Sequence, residues 1–346
     1  MKSTMKAMVV REHGQASVIK AEEVHTPKPG THEVLLKVRG CALNHLDLWS
    51  RKGIPGIKLP LILGCDISGE VVEKGHGVTH INEGDPVLVS PGLACGVCKQ
   101  CIAGAENLCR YYHILGSGRD GGYAEYVCVP AVNCLPMPAT LSFHQAATIP
   151  LVFMTAWHML VSRVGIKMNE TVLVIAGGSG VGTAAIQIAK LFRCRVITTV
   201  GNEDKAKLAT ELGADEVIIH SKQKIAEEVK RLTNKAGVDI VVEHVGPAVL
   251  PDCLASLALG GRLVTCGATT GAKAEIDINR LFVKHQSIYG SMMGTKRELM
   301  DLLPFFNDGT LKPVLDRVFP LTDAPKAHEL LEARRHFGKV VLDPTA

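Results

Sequence analysis

Between Thr171 and Met293 short apolar runs return at regular intervals. They are TVLVI (Thr171–Ile175), RVITTV (Arg195–Val200), EVIIH (Glu216–His220), VDIVVEHV (Val238–Val245), GRLVTCG (Gly261–Gly267) and SIYGSMM (Ser287–Met293). Runs of this length, rich in β-branched residues and bounded by glycine or polar residues, read as strands. Between most of them the spacing turns helical. In EDKAKLATELGA, Glu203 and Asp204 suit a helix N-terminus and Gly213 suits its stop. Six strands with intervening helices predict an α/β domain, a doubly wound parallel six-stranded sheet built as two βαβαβ halves.

The first 150 residues follow another pattern. Short alternating segments such as EVLLKVRG and SGEVVEKG, punctuated by Gly and Pro, predict a β-rich, barrel-like domain. After Met293 come a helical pattern, TKRELMDLLPFF, and a strand-like run, GKVVLD. This tail is expected to return to the first domain. The expected organisation is therefore 1–150, then 151–293 as the nucleotide-type domain, then 294–346 rejoining the first.

Composition changes this picture little. A chain of 346 residues, 47% hydrophobic and 21% charged, has ample core for two domains. Its net charge of +4, with Lys and Arg interspersed among acids, gives no reason to expect a nucleic-acid or membrane surface. The longest weakly apolar run, 171–192, is broken by glycines and reads as strand, turn and helix rather than a membrane span. The opening MKSTMKAMVVREHG has no apolar export segment, so a cytoplasmic location is expected.

Candidate chemistry adds more. Of 11 cysteines, four fall in CGVCKQCIAGAENLC: Cys95, Cys98, Cys101 and Cys109. The spacing C-x2-C-x2-C-x7-C lets four thiolates from one loop converge on a soft divalent ion. Four sulfurs fill zinc's coordination sphere, so one structural zinc per chain is expected. An iron–sulfur cluster is the chemical rival, and disulfides are disfavoured without export.

Directly after the first strand of the alternating region comes AGGSGVG, opening into the helical TAAIQIAKLF. Gly177, Gly178, Ser179, Gly180, Val181 and Gly182 would bring the backbone against a pyrophosphate seated on the helix N-terminal amides. The strict G-x-G-x-x-G pattern is not met, because Ser179 holds its third position. NAD binders commonly end the second strand in Asp or Glu, for the ribose 2′-hydroxyl. Here the end is Val200-Gly201-Asn202, and Lys205 follows as a possible point charge for a 2′-phosphate. NADPH is therefore favoured over NADH.

Together these residues resemble the medium-chain dehydrogenase/reductase superfamily over essentially the whole chain. The cysteine loop matches the structural-zinc lobe of its zinc alcohol dehydrogenases. GCALNHLDLWSRKG and LPLILGCDISGEVVEKG resemble its two active-site segments, and DGGYAEYV and AATIPLVFMTAWHML add further matches. The resemblance implies a GroES-like first domain, a Rossmann second domain, an active site in the cleft between them, and hydride transfer involving a nicotinamide.

The match departs where zinc alcohol dehydrogenases hold catalytic metal. Aligned through Asp47, their first cysteine ligand is Asn44 here. Their Gly-His-Glu is Gly64-Cys65-Asp66, and their third ligand is Leu151. An ALN…D segment with a G-x-D turn resembles instead the quinone oxidoreductase branch, which lacks catalytic zinc and usually takes NADPH. By the same resemblance His45 contacts the cofactor pyrophosphate. Thr155 is assigned to the cofactor, and Gly267 and Ser291, at strand ends flanking the cleft, would orient the nicotinamide through backbone groups. Asn44 would hold a substrate carbonyl, beside Cys65. Asp47 and Asp66 would form a buried polar network.

These residues lead to an NADPH-dependent reductase of quinones or α,β-unsaturated carbonyls, with a small-molecule substrate and neither nucleic acid nor membrane as partner. The alternatives are a zinc alcohol dehydrogenase whose ligands come from Cys41, His45, Cys65 and Asp66, and a nucleotide-binding protein without turnover. SIYGSMM at the sheet edge suggests a homodimer, with a tetramer possible.

Overall fold

All six apolar runs between Thr171 and Met293 contribute a strand to one parallel sheet, in the order Glu216–Ile219, Arg195–Val200, Thr171–Val174, Val238–Glu243, Leu257–Thr265, Ser287–Gly290. The order runs outward from Thr171–Val174 in both directions, the doubly wound arrangement whose switch point receives a nucleotide at the carboxyl ends of the strands. Val172, Leu173, Val174, Ile240, Val241 and Val242 are fully buried, as expected of parallel strands covered on both faces.

Several strand ends differ from the sequence expectation, most of them by one to four residues. The fifth strand begins earlier, at Leu257. The fourth stops at Glu243, whose carboxylate accepts the backbone N–H groups of Val245 and Gly246 and so turns the chain out of the ladder. The sixth stops at Gly290, and Met293 beyond it has φ +55, which no strand continues through. Glu203–Glu211 is a helix as expected. Asn202 caps it by accepting the N–H of Lys205, and Gly213, at φ +116, follows its end.

The computed structural model describes residues 3–346. The chain divides into two units, one running to Leu151 and resuming over Thr295–Ala346, the other spanning Val152–Gly294. In the first unit, Glu33–Ala42 is the central strand of a seven-stranded sheet. It pairs antiparallel with Asp66–Lys74, with Tyr126–Pro130 and with Lys339–Asp343. The last pairing sets Val341 against Ala42 and Leu342 against Cys41, so the tail does return to this unit. A smaller sheet joins Thr4–Val10 to Ile19–His25 and Leu61–Ile62. No helix among the described residues is long and apolar enough to cross a membrane.

Candidate active site

The cysteine loop forms a preorganised tetrathiol site. Cys98 Sγ lies 3.6 Å from Cys101 Sγ, Cys109 Sγ 3.6 Å from Cys95 Sγ, and Cys95 Sγ 3.9 Å from Cys101 Sγ. All four sulfurs lie within 4.8 Å of one another. A tetrahedron with Zn–S bonds of about 2.3 Å has edges of about 3.8 Å, so these sulfurs fit zinc. Backbone N–H groups of Val97 and Cys98 pull the Cys95 thiol down to about 6, favouring the thiolate that binds metal. A two-stranded ribbon, Gly92–Leu93 with His113–Ile114, closes the loop. His113 is exposed and turns Nδ1 to the Tyr111 carbonyl, 3.1 Å away.

The two segments flagged for catalysis meet in the first unit. Asn44 stands at the N-cap of the helix His45–Lys52. Asp47, in that helix's first turn, accepts the Asn44 N–H on Oδ2 at 2.7 Å and the Gly64 N–H on Oδ1 at 3.1 Å. One buried carboxylate thus joins the helix start to the Gly64-Cys65-Asp66 turn. Burial pushes Asp47 up to about 6 against these two N–H donors. Gly64 has φ +94, and a Cβ there would lie 2.4 Å from the Tyr123 ring, so both conformation and space require glycine.

The Asn44 side chain reaches the Gly64-Cys65-Asp66 turn. Its Nδ2 donates to Asp66 Oδ2 at 2.9 Å and approaches Cys65 Sγ at 3.5 Å. A residue that the sequence analysis did not select completes the cluster. Lys339, first residue of the returning strand, donates from Nζ to Asn44 Oδ1 at 2.5 Å and to Asp66 Oδ2 at 2.8 Å. The backbone N–H of Leu151 donates to Asp66 Oδ1 at 2.8 Å. The orientation of the Asn44 amide follows from this chemistry: ammonium only donates, so Oδ1 faces Lys339, and carboxylate only accepts, so Nδ2 faces Asp66.

These donors do not fit a catalytic zinc. Both Asp66 oxygens are engaged, Asn44 presents N–H, and Leu151 offers only an apolar side chain. Burial, reinforced by Asp66 and Asp47, pushes the Cys65 thiol far up and keeps it protonated. Burial, again with Asp47 and Asp66, does the same to Cys41. His45 falls to about 4 through burial and the positive charges of Arg334, Lys339 and Lys52, so its ring is neutral at pH 7. Among the described residues the tetrathiol loop is the one group bringing three or more Cys, His, Asp or Glu ligand atoms together.

A second buried chain of polar groups lies behind the Gly64 turn. Tyr123 Oη is 3.1 Å from His328 Nε2. Arg51 donates from Nη1 to His328 Nδ1 at 3.2 Å and from Nη2 to Glu332 Oε1 at 2.6 Å. Because arginine only donates, His328 Nδ1 must accept and Nε2 must carry the hydrogen. Burial and the adjacent Arg51 lower His328 to about 3, so it stays neutral.

In the second unit the glycine turn is built for close backbone approach. A Cβ on Gly177 would lie 2.1 Å from Thr198 Oγ1, and one on Gly182 2.3 Å from the Ala176 carbonyl. Ser179 caps the helix Gly180–Leu191 by accepting the Gly182 N–H at 3.0 Å, and its Oγ lies 2.9 Å from His244 Nε2. Gly178, Gly180 and Val181 complete the turn and the helix start. The buried hydroxyls of Thr155 and Ser291 find no hydrogen-bond partner among the described residues, which suits a bound nicotinamide cofactor supplying one. Gly267 passes the His244 carbonyl so closely that a Cβ would lie 2.6 Å from it. At the second strand end, Asn202 spends its Oδ1 on the Lys205 N–H, and His220 stands 3.8 Å from where a Gly201 Cβ would be.

Comparison with known proteins gives the family. Residues 30–139 match the family model of the alcohol dehydrogenase GroES-like domain, and residues 180–308 that of zinc-binding dehydrogenases. The chain is 32% identical to the acryloyl-coenzyme A reductase of Metallosphaera sedula, covering 98% of this chain and 99% of the relative. It is 30% identical to the quinone oxidoreductase of Rattus norvegicus, covering 98% and 97%. A crystal structure of an NAD-dependent alcohol dehydrogenase superposes with a TM-score of 0.95 at 46% identity, covering 98% and 99%. The chain belongs to the medium-chain dehydrogenase/reductase superfamily, as a zinc alcohol dehydrogenase-like member with NAD(P)-dependent oxidoreductase chemistry.

Proposed function

We propose that this chain carries hydride from NADPH to the electron-poor carbon of an α,β-unsaturated carbonyl, such as an enoyl thioester, or of a quinone. The observation that carries this reading is the closed Asn44–Asp66–Lys339 cluster. It offers a neutral N–H donor where an alcohol dehydrogenase needs an open metal position. Reduction of a conjugated carbonyl needs little more than alignment and a donor for the oxygen that gains charge. The names of the acryloyl-coenzyme A reductase and quinone oxidoreductase relatives support this substrate class.

When bound, the nicotinamide supplies the hydride. The residues of this chain do the rest: the glycine turn seats the pyrophosphate, Thr155 and Ser291 can pair with the cofactor, and Asn44 meets the substrate oxygen. The preference for NADPH rests on the end of Arg195–Val200, where no acid follows and Asn202 is committed to its helix cap. The name of the NAD-dependent structural neighbour points the other way, so the preference is to be measured. The test is oxidation of NADPH and NADH by enoyl thioesters, enones and quinones, alongside the reverse reaction with primary and secondary alcohols. Turnover of conjugated carbonyls with NADPH is expected. Turnover of alcohols alone would replace this reading with the alcohol dehydrogenase one, and no turnover at all would favour a binding protein.

A further inference from the structure

We propose that Lys339 is a positioning residue of the reductase site, polarising the Asn44 amide so that its N–H serves as the oxyanion donor. The inference rests on the conjugated-carbonyl reading above and deepens it. Lys339 holds Asn44 Oδ1 at 2.5 Å, and Asp66 holds Nδ2 at 2.9 Å, so the amide is fixed at both ends. Asn44 has two hydrogens on Nδ2. One goes to the Asp66 carboxylate. The other faces Cys65 Sγ at 3.5 Å, a weak neutral acceptor.

That contact is the one in the cluster a substrate oxygen can replace at a gain. A carbonyl is a better acceptor than a protonated thiol, and it improves as negative charge develops on it. The ammonium on the far side of the amide withdraws electron density through O=C–N, strengthening the remaining N–H as a donor, and the buried setting leaves this effect unscreened. Lys339 is 4% exposed and Asp66 fully buried, while Asn44 keeps 6% of its surface. The charges cancel between Lys339 and Asp66, so the amide is polarised without a net buried charge.

The balance of the step is simple. A bound reduced nicotinamide would supply hydride to the β-carbon; the π electrons of C=C would then move to the carbonyl oxygen, and a solvent proton would complete the α-carbon. Asn44 donates a hydrogen bond to the oxygen throughout. Lys339 transfers nothing.

The test compares wild type, Lys339→Arg and the double variant Asp66→Asn/Lys339→Met. The double variant removes both buried charges together, so neither is left unpaired to prevent folding. The expected result is a fall in kcat of about tenfold to hundredfold with an enoyl thioester, scaled from the loss of a full oxyanion donor. KM for NADPH should stay unchanged, the fall should be smaller with a readily reduced quinone, and Lys339→Arg should recover most of the rate. A structural defect would lower both substrates equally. A double variant that keeps wild-type kcat on the thioester, or loses rate equally on both substrates, overturns this inference and leaves the substrate reading standing. A wild type that turns over no conjugated carbonyl overturns the reading, and this inference with it.

Discussion

Lys339 Nζ and Asp66 Oδ2 form an ion pair at 2.8 Å with side chains 5% and 0% exposed. Opening one side of so buried a pair leaves an uncompensated charge, which costs about 3–5 kcal/mol. Lys339→Met is therefore expected to lose that much stability in urea unfolding at pH 7, and Asp66→Asn/Lys339→Met to recover much of it. Equal losses in single and double variants would show that the pair is not coupled as the distances imply.

The sulfur geometry and the donor set around Asn44 together predict the metal content. Elemental analysis of protein purified without added metal should give one zinc per chain. Cys98→Ser should abolish it and lower the melting temperature, because the loop would lose its cross-link. Two zinc ions per wild-type chain would mean that Cys65 and its neighbours do hold metal, and the alcohol dehydrogenase reading would take over.

His328 makes stability depend on pH in a defined direction. Its pKa is lowered from an ordinary 6.5 to about 3 in the fold, so the unfolded chain takes up the proton first. The stabilisation is present above pH 6.5 and is lost as pH falls from 6.5 toward 3, with a slope of about 1.4 kcal/mol per pH unit. Unfolding free energies at pH 7, 6 and 5 should fall more steeply for wild type than for His328→Gln. Parallel curves would remove His328 from the account.

Gly182 tests the nucleotide turn. Its Cβ position lies 2.3 Å from the backbone oxygen of Ala176, which no side-chain movement relieves. Gly182→Ala should weaken NADPH binding at least tenfold by fluorescence titration, while zinc content stays at wild type. Unchanged affinity would show that the turn is not where the pyrophosphate sits.

Ser287–Gly290 ends the six-stranded sheet and pairs with one neighbour among the described residues, and Ile278, Phe282 and Val283 of the preceding helix are 70%, 64% and 57% exposed. A second copy pairing along this edge would cover both. Proline at Ile288 or Tyr289, whichever N–H faces outward, should then convert a dimer to monomers in sedimentation velocity. An unchanged sedimentation coefficient in both variants would place any interface elsewhere.

What the sequence determined by itself is what short spacing encodes. Four cysteines within one loop, a glycine turn directly after a strand, and apolar runs separated by helical patterns each report their chemistry locally. The departures at Asn44, Cys65 and Leu151 were equally legible once the two segments had been recognised. The polar cluster around them was only half visible, because Asn44 and Lys339 are 295 residues apart and meet through the register that sets Val341 against Ala42. The lysine that follows glycine in GKVVLD looks like an ordinary strand terminus until that register buries it beside Asp66. The Arg51–His328–Tyr123 chain was hidden for the same reason: its members lie on segments that local pattern keeps apart. Tertiary packing alone decided that these polar groups would be buried, and burial obliged each to find a partner.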